Sequence, residues 1–153
     1  MPLDDAATLP DIAPDAPCGP NLEFDPEFAE FERLVQGRPE QQYGATIVPA
    51  EEPDWKEVVA RGRALLGRTH DLRVMAQLAV ARLQREGVEG FAEALGLVRE
   101  AVETRWAQVH PLLDPEDDDD PTLRSNALLL VGEPGRVLRV LRVLPLARSA
   151  RAG

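Results

Sequence analysis

The chain has 153 residues, a net charge of −10 and 44% hydrophobic residues, enough for one domain with its own core. Its acidity argues against nucleic acid as a partner, because phosphates call for a basic stripe. The single cysteine, Cys18, excludes an internal disulfide, and no apolar run approaches the ~20 residues of a membrane helix.

The charge is unevenly spread. Residues 1–54 carry 13 acids and 2 bases, residues 111–120 carry 6 acids and no base, and residues 121–153 carry 1 acid and 6 bases. Such blocks read first as solvated faces and second as surfaces that steer a partner. The acidic start, Met1-Pro2-Leu3-Asp4-Asp5, lacks the basic and apolar regions of a secretory signal, so a cytoplasmic location is expected.

Residues 1–24 hold Pro2, Pro10, Pro14, Pro17 and Pro20, which forbid a continuous helix and predict an extended arm. Ile12, Leu22 and Phe24 are its expected anchors. Cys18 has no local base to activate it and reads as a packed thiol. A first helix is predicted from Asp25, its cap, with Pro26 at the first position and Phe28, Phe31, Leu34 and Val35 on one face. Residues 38–53 read as a long connection anchored by Tyr43, Ile47 and Val48.

Asp54 caps a second helix whose stripe is Trp55, Val58, Val59, Gly62, Leu65 and Leu66. A third, capped by Thr69 or Asp71, is predicted to run to about Glu86 before Gly87, and its wide apolar face marks it as central. His70 in its first turn reads as a surface or capping residue. A fourth helix should span Val88 to about Val109 with Phe91, Leu95, Val98, Val102, Trp106 and Val109 facing the core. His110-Pro111 stops it, with His110 placed to satisfy the last carbonyls.

The acidic loop that follows, Asp114 to Asp120, raises the question of a divalent cation. The sixth-position glycine and closing glutamate of a calcium loop are replaced by Asp119 and Ser125, so no metal site is assigned. Asp120 is read instead as the cap of a fifth helix with Pro121 as its first residue. Ser125 lacks the sharp glycine-flanked turn of a nucleophile. The last segment repeats Arg-Val-Leu at 136–138, 139–141 and 142–144; a helix gathers Arg136, Arg139 and Arg142 in one sector and ends at Pro145. The fold class expected from these elements is all-α, a compact bundle of about five to six helices with an extended Pro-rich N-terminal arm. Its divisions are an arm over 1–24, a helical domain over 25–146, and a tail or excised end over 147–153.

Several of these residues also carry a resemblance. Pro17-Cys18-Gly19-Pro20-Asn21-Leu22-Glu23-Phe24-Asp25-Pro26-Glu27-Phe28 resembles the opening of the ImpA-type N-terminal domain of TssA proteins from bacterial type VI secretion. Tyr43-Gly44, Pro49 to Trp55, Leu65-Leu66 before Asp71-Leu72-Arg73, Trp106 with Val109-His110-Pro111, the acidic loop, and Pro121 to Leu128 follow in the family's order. Pro20 departs from it, standing where a polar or acidic residue is usual. The match covers residues 10 to 146, and members of the family generally continue into further helical domains.

The resemblance implies a non-catalytic assembly domain without cofactors, working with baseplate, sheath, tube or membrane-complex proteins. It also implies a whole protein that self-associates through regions beyond this chain. Neither nucleic acid nor membrane insertion is expected. The motif residues Asp25, Pro26, Asp54, Trp55, Asp71, Trp106, His110, Pro111, Asp120 and Pro121 are expected to be structural. Two other classes were weighed against it: a cation-binding regulatory module on the acidic loop, and a hydrolase using His70, His110 or Ser125.

Overall fold

A computed structural model describes residues 8–145. The expected tail at 147–153 and the first seven residues of the expected arm lie outside the described residues. The elements in order are α1 (Pro26–Gln36), β1 (Gln41–Tyr43), β2 (Thr46–Val48), α2 (Trp55–Leu66), α3 (Leu72–Thr104), α4 (Thr122–Leu129) and the short α5 (Arg139–Val143).

The first half of α3 is the centre of the fold. Its residues enter three apolar clusters at once. Val74, Leu78 and Ala81 meet Phe28, Phe31, Val35, Val58 and Leu65 of α1 and α2. Leu72 and Met75 meet Leu9 and Cys18 of the N-terminal segment, Val98, Ala101, Val109 and Ala127. Ala79, Val80 and Leu83 meet Phe91, Ala94 and Val137. A helix that is apolar all round is buried all round, and this half of α3 is so from Leu72 to Leu83 apart from Arg73, Gln77 and Arg82. Gly87, with φ 71° and ψ −152°, interrupts the helical backbone, so the two helices expected on either side of it follow one another with a kink between them.

The expected all-α bundle of about five to six helices is corrected by the structure. Among the described residues there are four helices of eight residues or more, the five-residue α5, and a two-stranded antiparallel sheet where a plain connection was expected. Its register pairs Gln41 with Val48, Gln42 with Ile47 and Tyr43 with Thr46. Gly44, at φ 61°, opens a two-residue turn of the kind that suits the right-handed twist of a hairpin. Arg38 and Glu51 continue the ladder with two backbone hydrogen bonds of 2.9 and 2.8 Å and a side-chain pair at 3.2 Å. The hairpin projects from the body, so Tyr43 and Ile47, expected as anchors, are exposed instead.

Three further expectations change. Leu9, Cys18 and Leu22 hold the N-terminal segment to the core, whereas Phe24 is 95% exposed. α3 ends at Thr104, not Val109, and Arg105 caps it with its amide on Ala101 O at 3.0 Å. The helix predicted over 136–144 is a wide helical turn at Pro134–Leu138 followed by α5, and Glu133 caps that turn through the amides of Gly135 and Arg136 at 2.9 and 2.6 Å.

Candidate functional site

Two places concentrate chemistry-bearing residues: a buried corner around residues 105–111, and an open furrow between α1 and α4. The corner is built by three segments distant in sequence. His70 donates its amide to Cys18 O at 2.8 Å, His110 donates to His70 O at 3.0 Å, and Leu72 donates to His110 O at 2.9 Å. The His110 ring nitrogen Nε2 lies 2.9 Å from Gly19 O, and Thr69 Oγ1 donates to Pro20 O at 2.7 Å. This backbone pairing draws residues 105–110 out of the helical path. The His110–Pro111 peptide is cis.

Arg124, on α4, secures the other side. It is buried, and its guanidinium donates to the carbonyls of Pro111, Trp106 and Val109 at 2.8, 2.7 and 2.8 Å. Its Cζ also sits 4.3 Å from the centroid of the Trp106 ring. Sequence reasoning missed this residue. The signal was there: Arg124 shares the core-facing sector of α4 with Ala127, Leu128 and Val131, at offsets of three, four and seven residues. Trp106 was expected on the buried stripe of a helix; it lies in the turn after α3 and is 40% exposed.

The other motif residues start helices. Asp25 accepts the Glu27 amide at 2.8 Å and the Arg68 guanidinium at 2.7 Å, and these contacts, Arg68 foremost, hold its carboxyl below the usual range. Pro26 opens α1. Asp54 accepts the amides of Lys56 and Glu57 at 3.0 and 3.2 Å. Trp55 lies under Arg136, 5.3 Å from its Cζ. Asp71 is buried, accepts the Arg73 amide at 2.8 Å and pairs with its guanidinium at 3.0 and 2.7 Å. Asp120 accepts the Thr122 amide and hydroxyl at 3.0 and 2.6 Å, and α4 begins at Thr122, one residue after Pro121. Of the ten, the structure brings Asp71, Trp106, His110 and Pro111 to the corner; the others sit at separate helix starts.

The corner is poorly suited to catalysis. Burial pushes the Cys18 thiol up, away from the nucleophilic thiolate. Burial and then the charge of Arg105 push the His70 imidazole down, favouring its neutral form. His70, expected at the surface, is buried, while Ser125 stands exposed on α4. No group of three or more His, Cys, Asp or Glu able to hold a metal occurs among the described residues. The loop from Asp114 to Asp120 is exposed throughout.

The furrow is a different kind of place. α1 and α4 stand on either side of Val74, leaving a cavity of about 250 Å³ between Phe31 and Val35 on one wall and Leu123, Ala127 and Leu130 on the other. At Gln77 and Leu130 it adjoins a second hollow of about 510 Å³ that reaches Glu52, Arg136 and Arg139.

Residues 9–132 match the family described as ImpA, N-terminal, type VI secretion system. The chain belongs to that family. The ImpA N-terminal domain is 45% identical over 152 residues to the type VI secretion system component TssA1 of Pseudomonas aeruginosa, covering 99% of this chain and 44% of that relative. It also superposes on the N-terminal domain, including the conserved ImpA N-terminal region, of the TssA component of the type VI secretion system from Burkholderia cenocepacia. That likeness has a TM-score of 0.72 and 29% identity, over 99% of this chain and 54% of that one. The chain thus spans about half the length of the relatives it matches. The family's matched residues in this ImpA N-terminal domain include the whole corner, both walls of the furrow and the hairpin.

Proposed function

We propose that this domain is a non-catalytic interaction module of a type VI secretion apparatus, helping to coordinate assembly of the baseplate and of the tube and sheath. The observation that carries this reading is family membership across residues 9–132, shared with a relative that is itself a secretion-system component. Two features of the chain favour interaction over chemistry. Its histidines and cysteine are buried in a corner where they support backbone pairing, and its largest accessible apolar feature is a furrow walled by two helices.

On this reading the ten motif residues are scaffold, the N-terminal segment and helical body act as one unit, and the partners are baseplate, sheath, tube or membrane-complex proteins. The protein works in the bacterial cytoplasm, and its longer form self-associates through regions beyond Gly153. No described helix is long and apolar enough to cross a membrane. Removing the domain from the whole protein in its bacterium, with a fluorescent sheath subunit as reporter, tests the proposal. Loss of sheath assembly, together with capture of a purified secretion component by the isolated domain, is the expected result. Normal assembly without the domain overturns it.

A further inference from the structure

We propose that the furrow between α1 and α4 receives the apolar face of a basic amphipathic helix from a partner protein; the inference rests on the assembly reading above. Its cavity, about 250 Å³, is below the ~300 Å³ at which small-molecule sites begin, which suits the side chains of a docking helix and not a metabolite. The walls are two helical stripes set side by side: Phe28, Phe31 and Val35 on α1, and Leu123, Ala127 and Leu130 on α4. Each stripe repeats at offsets of three or four and seven residues, the spacing that interlocks with a third helix laid between them. Leu123 is 63% exposed, an aliphatic side chain on the rim with no apolar cover.

The sign of the charge around the furrow selects the partner. Glu32 stands exposed on the α1 rim, and no ion pair engages it among the described residues. On the other side, the exposed loop from Asp114 to Asp120 leads directly into Leu123. The cation in the lining, Arg73, is already committed: it pairs with Asp71 at 2.7 Å, reaches Glu23 at 3.5 Å and lies 4.9 Å from the Phe28 centroid. The apolar floor is therefore flanked by uncompensated carboxylates, on a chain of net charge −10. Lysines or arginines flanking leucines match that arrangement, and the net charge steers them toward it. Anionic segments meet repulsion on both rims.

Display selection of random peptides of about 16 residues, long enough for four helical turns, tests this directly on the 153-residue chain. The expected enriched sequences carry aliphatic residues three or four apart with flanking lysine or arginine. A synthetic copy should bind with an affinity that falls as salt rises. Its affinity should also fall about tenfold or more in Leu123→Lys and in Glu32→Lys, both exposed positions whose variants keep the parent melting temperature. Overturning results are no enriched family, acidic enriched peptides, binding indifferent to both variants, or a concentration-dependent dimer that Leu123→Lys abolishes, which would make a second copy the occupant. In the bacterium, Leu123→Lys in the whole protein should impair sheath assembly as domain removal does. Should removal stop assembly while the variant leaves it intact, the furrow is wrong and the assembly reading stands. Should removal itself change nothing, the assembly reading has failed.

Discussion

The guanidinium of Arg124 lies against the indole of Trp106, 4.3 Å from its centroid, while the same guanidinium donates to the Trp106 carbonyl at 2.7 Å. Two further carbonyls of the same turn, from Val109 and Pro111, complete its set, and no carboxylate pairs with it among the described residues. A buried cation is thus held by backbone dipoles alone. Arg124→Leu should leave these carbonyls without their donor and cost about 3 kcal/mol or more in urea unfolding. Arg124→Lys should recover little of that, because an ammonium lacks the planar fork that reaches three acceptors.

The buried imidazole of His70 sets one acid limit. Burial, then Arg105, lower its pKa from the ordinary 6.5, so the unfolded chain binds the proton more readily than the folded one. The stability this gives is complete above pH 6.5 and is lost as pH falls toward the depressed folded value. A second loss begins lower, where Asp25 and Glu86, held below ordinary values of 3.8 and 4.5 chiefly by Arg68 and Arg82, become protonated. Urea midpoints measured against pH should decline in two stages. His70→Gln should flatten the stage between 6.5 and about pH 5 and leave the lower one in place.

The three arginines of the C-terminal repeat should differ sharply. Arg136 donates to Val35 O at 2.6 Å and Gln36 O at 3.2 Å, closing the end of α1, and covers Trp55. Arg139 makes an exposed pair with Glu52 at 3.6 Å. Arg136→Met is expected to cost about 1–2 kcal/mol in equilibrium unfolding. Arg139→Met should stay within about 0.5 kcal/mol of the parent.

Gly19 has φ +67°, and a Cβ there would sit 2.4 Å from the Arg68 carbonyl oxygen. Gly19→Ala should therefore destabilise by about 1–3 kcal/mol, through strain and through loosening of the His110 contact to the same residue. Gly96, inside α3, has nothing within 4 Å of such an atom. Gly96→Ala should raise stability by about 0.5–1 kcal/mol, so the two substitutions move the melting temperature in opposite directions.

What the sequence made legible was local. Asp25, Asp54 and Asp71 each accept an amide two residues on, an event written in three or four consecutive residues. The all-round apolar stretch from Leu72 to Leu83 likewise announced the central position of that helix. The hairpin was not legible, because three-residue strands carry almost no periodicity and both of their faces meet water. Nor was the end of α3. The helical pattern continues through Trp106 and Val109, but their backbone groups are claimed by Arg124 from 18 and 15 residues away, and those of His110 by His70 and Leu72. The furrow was hidden for a related reason: both stripes that wall it read as ordinary core, and only their placement on α3 leaves them apart.

The bonds that close the corner and the end of α1 join positions 91 and 101 apart: His110 with Gly19, and Arg136 with Val35. Helical proteins usually fold through near neighbours, yet here those closing contacts wait for nearly the whole chain. On the ribosome, the segment around Cys18 emerges first and finds its seat only after His110 has followed it out. Until then it is a loose end beside a growing core, open to chaperones and to premature partners alike.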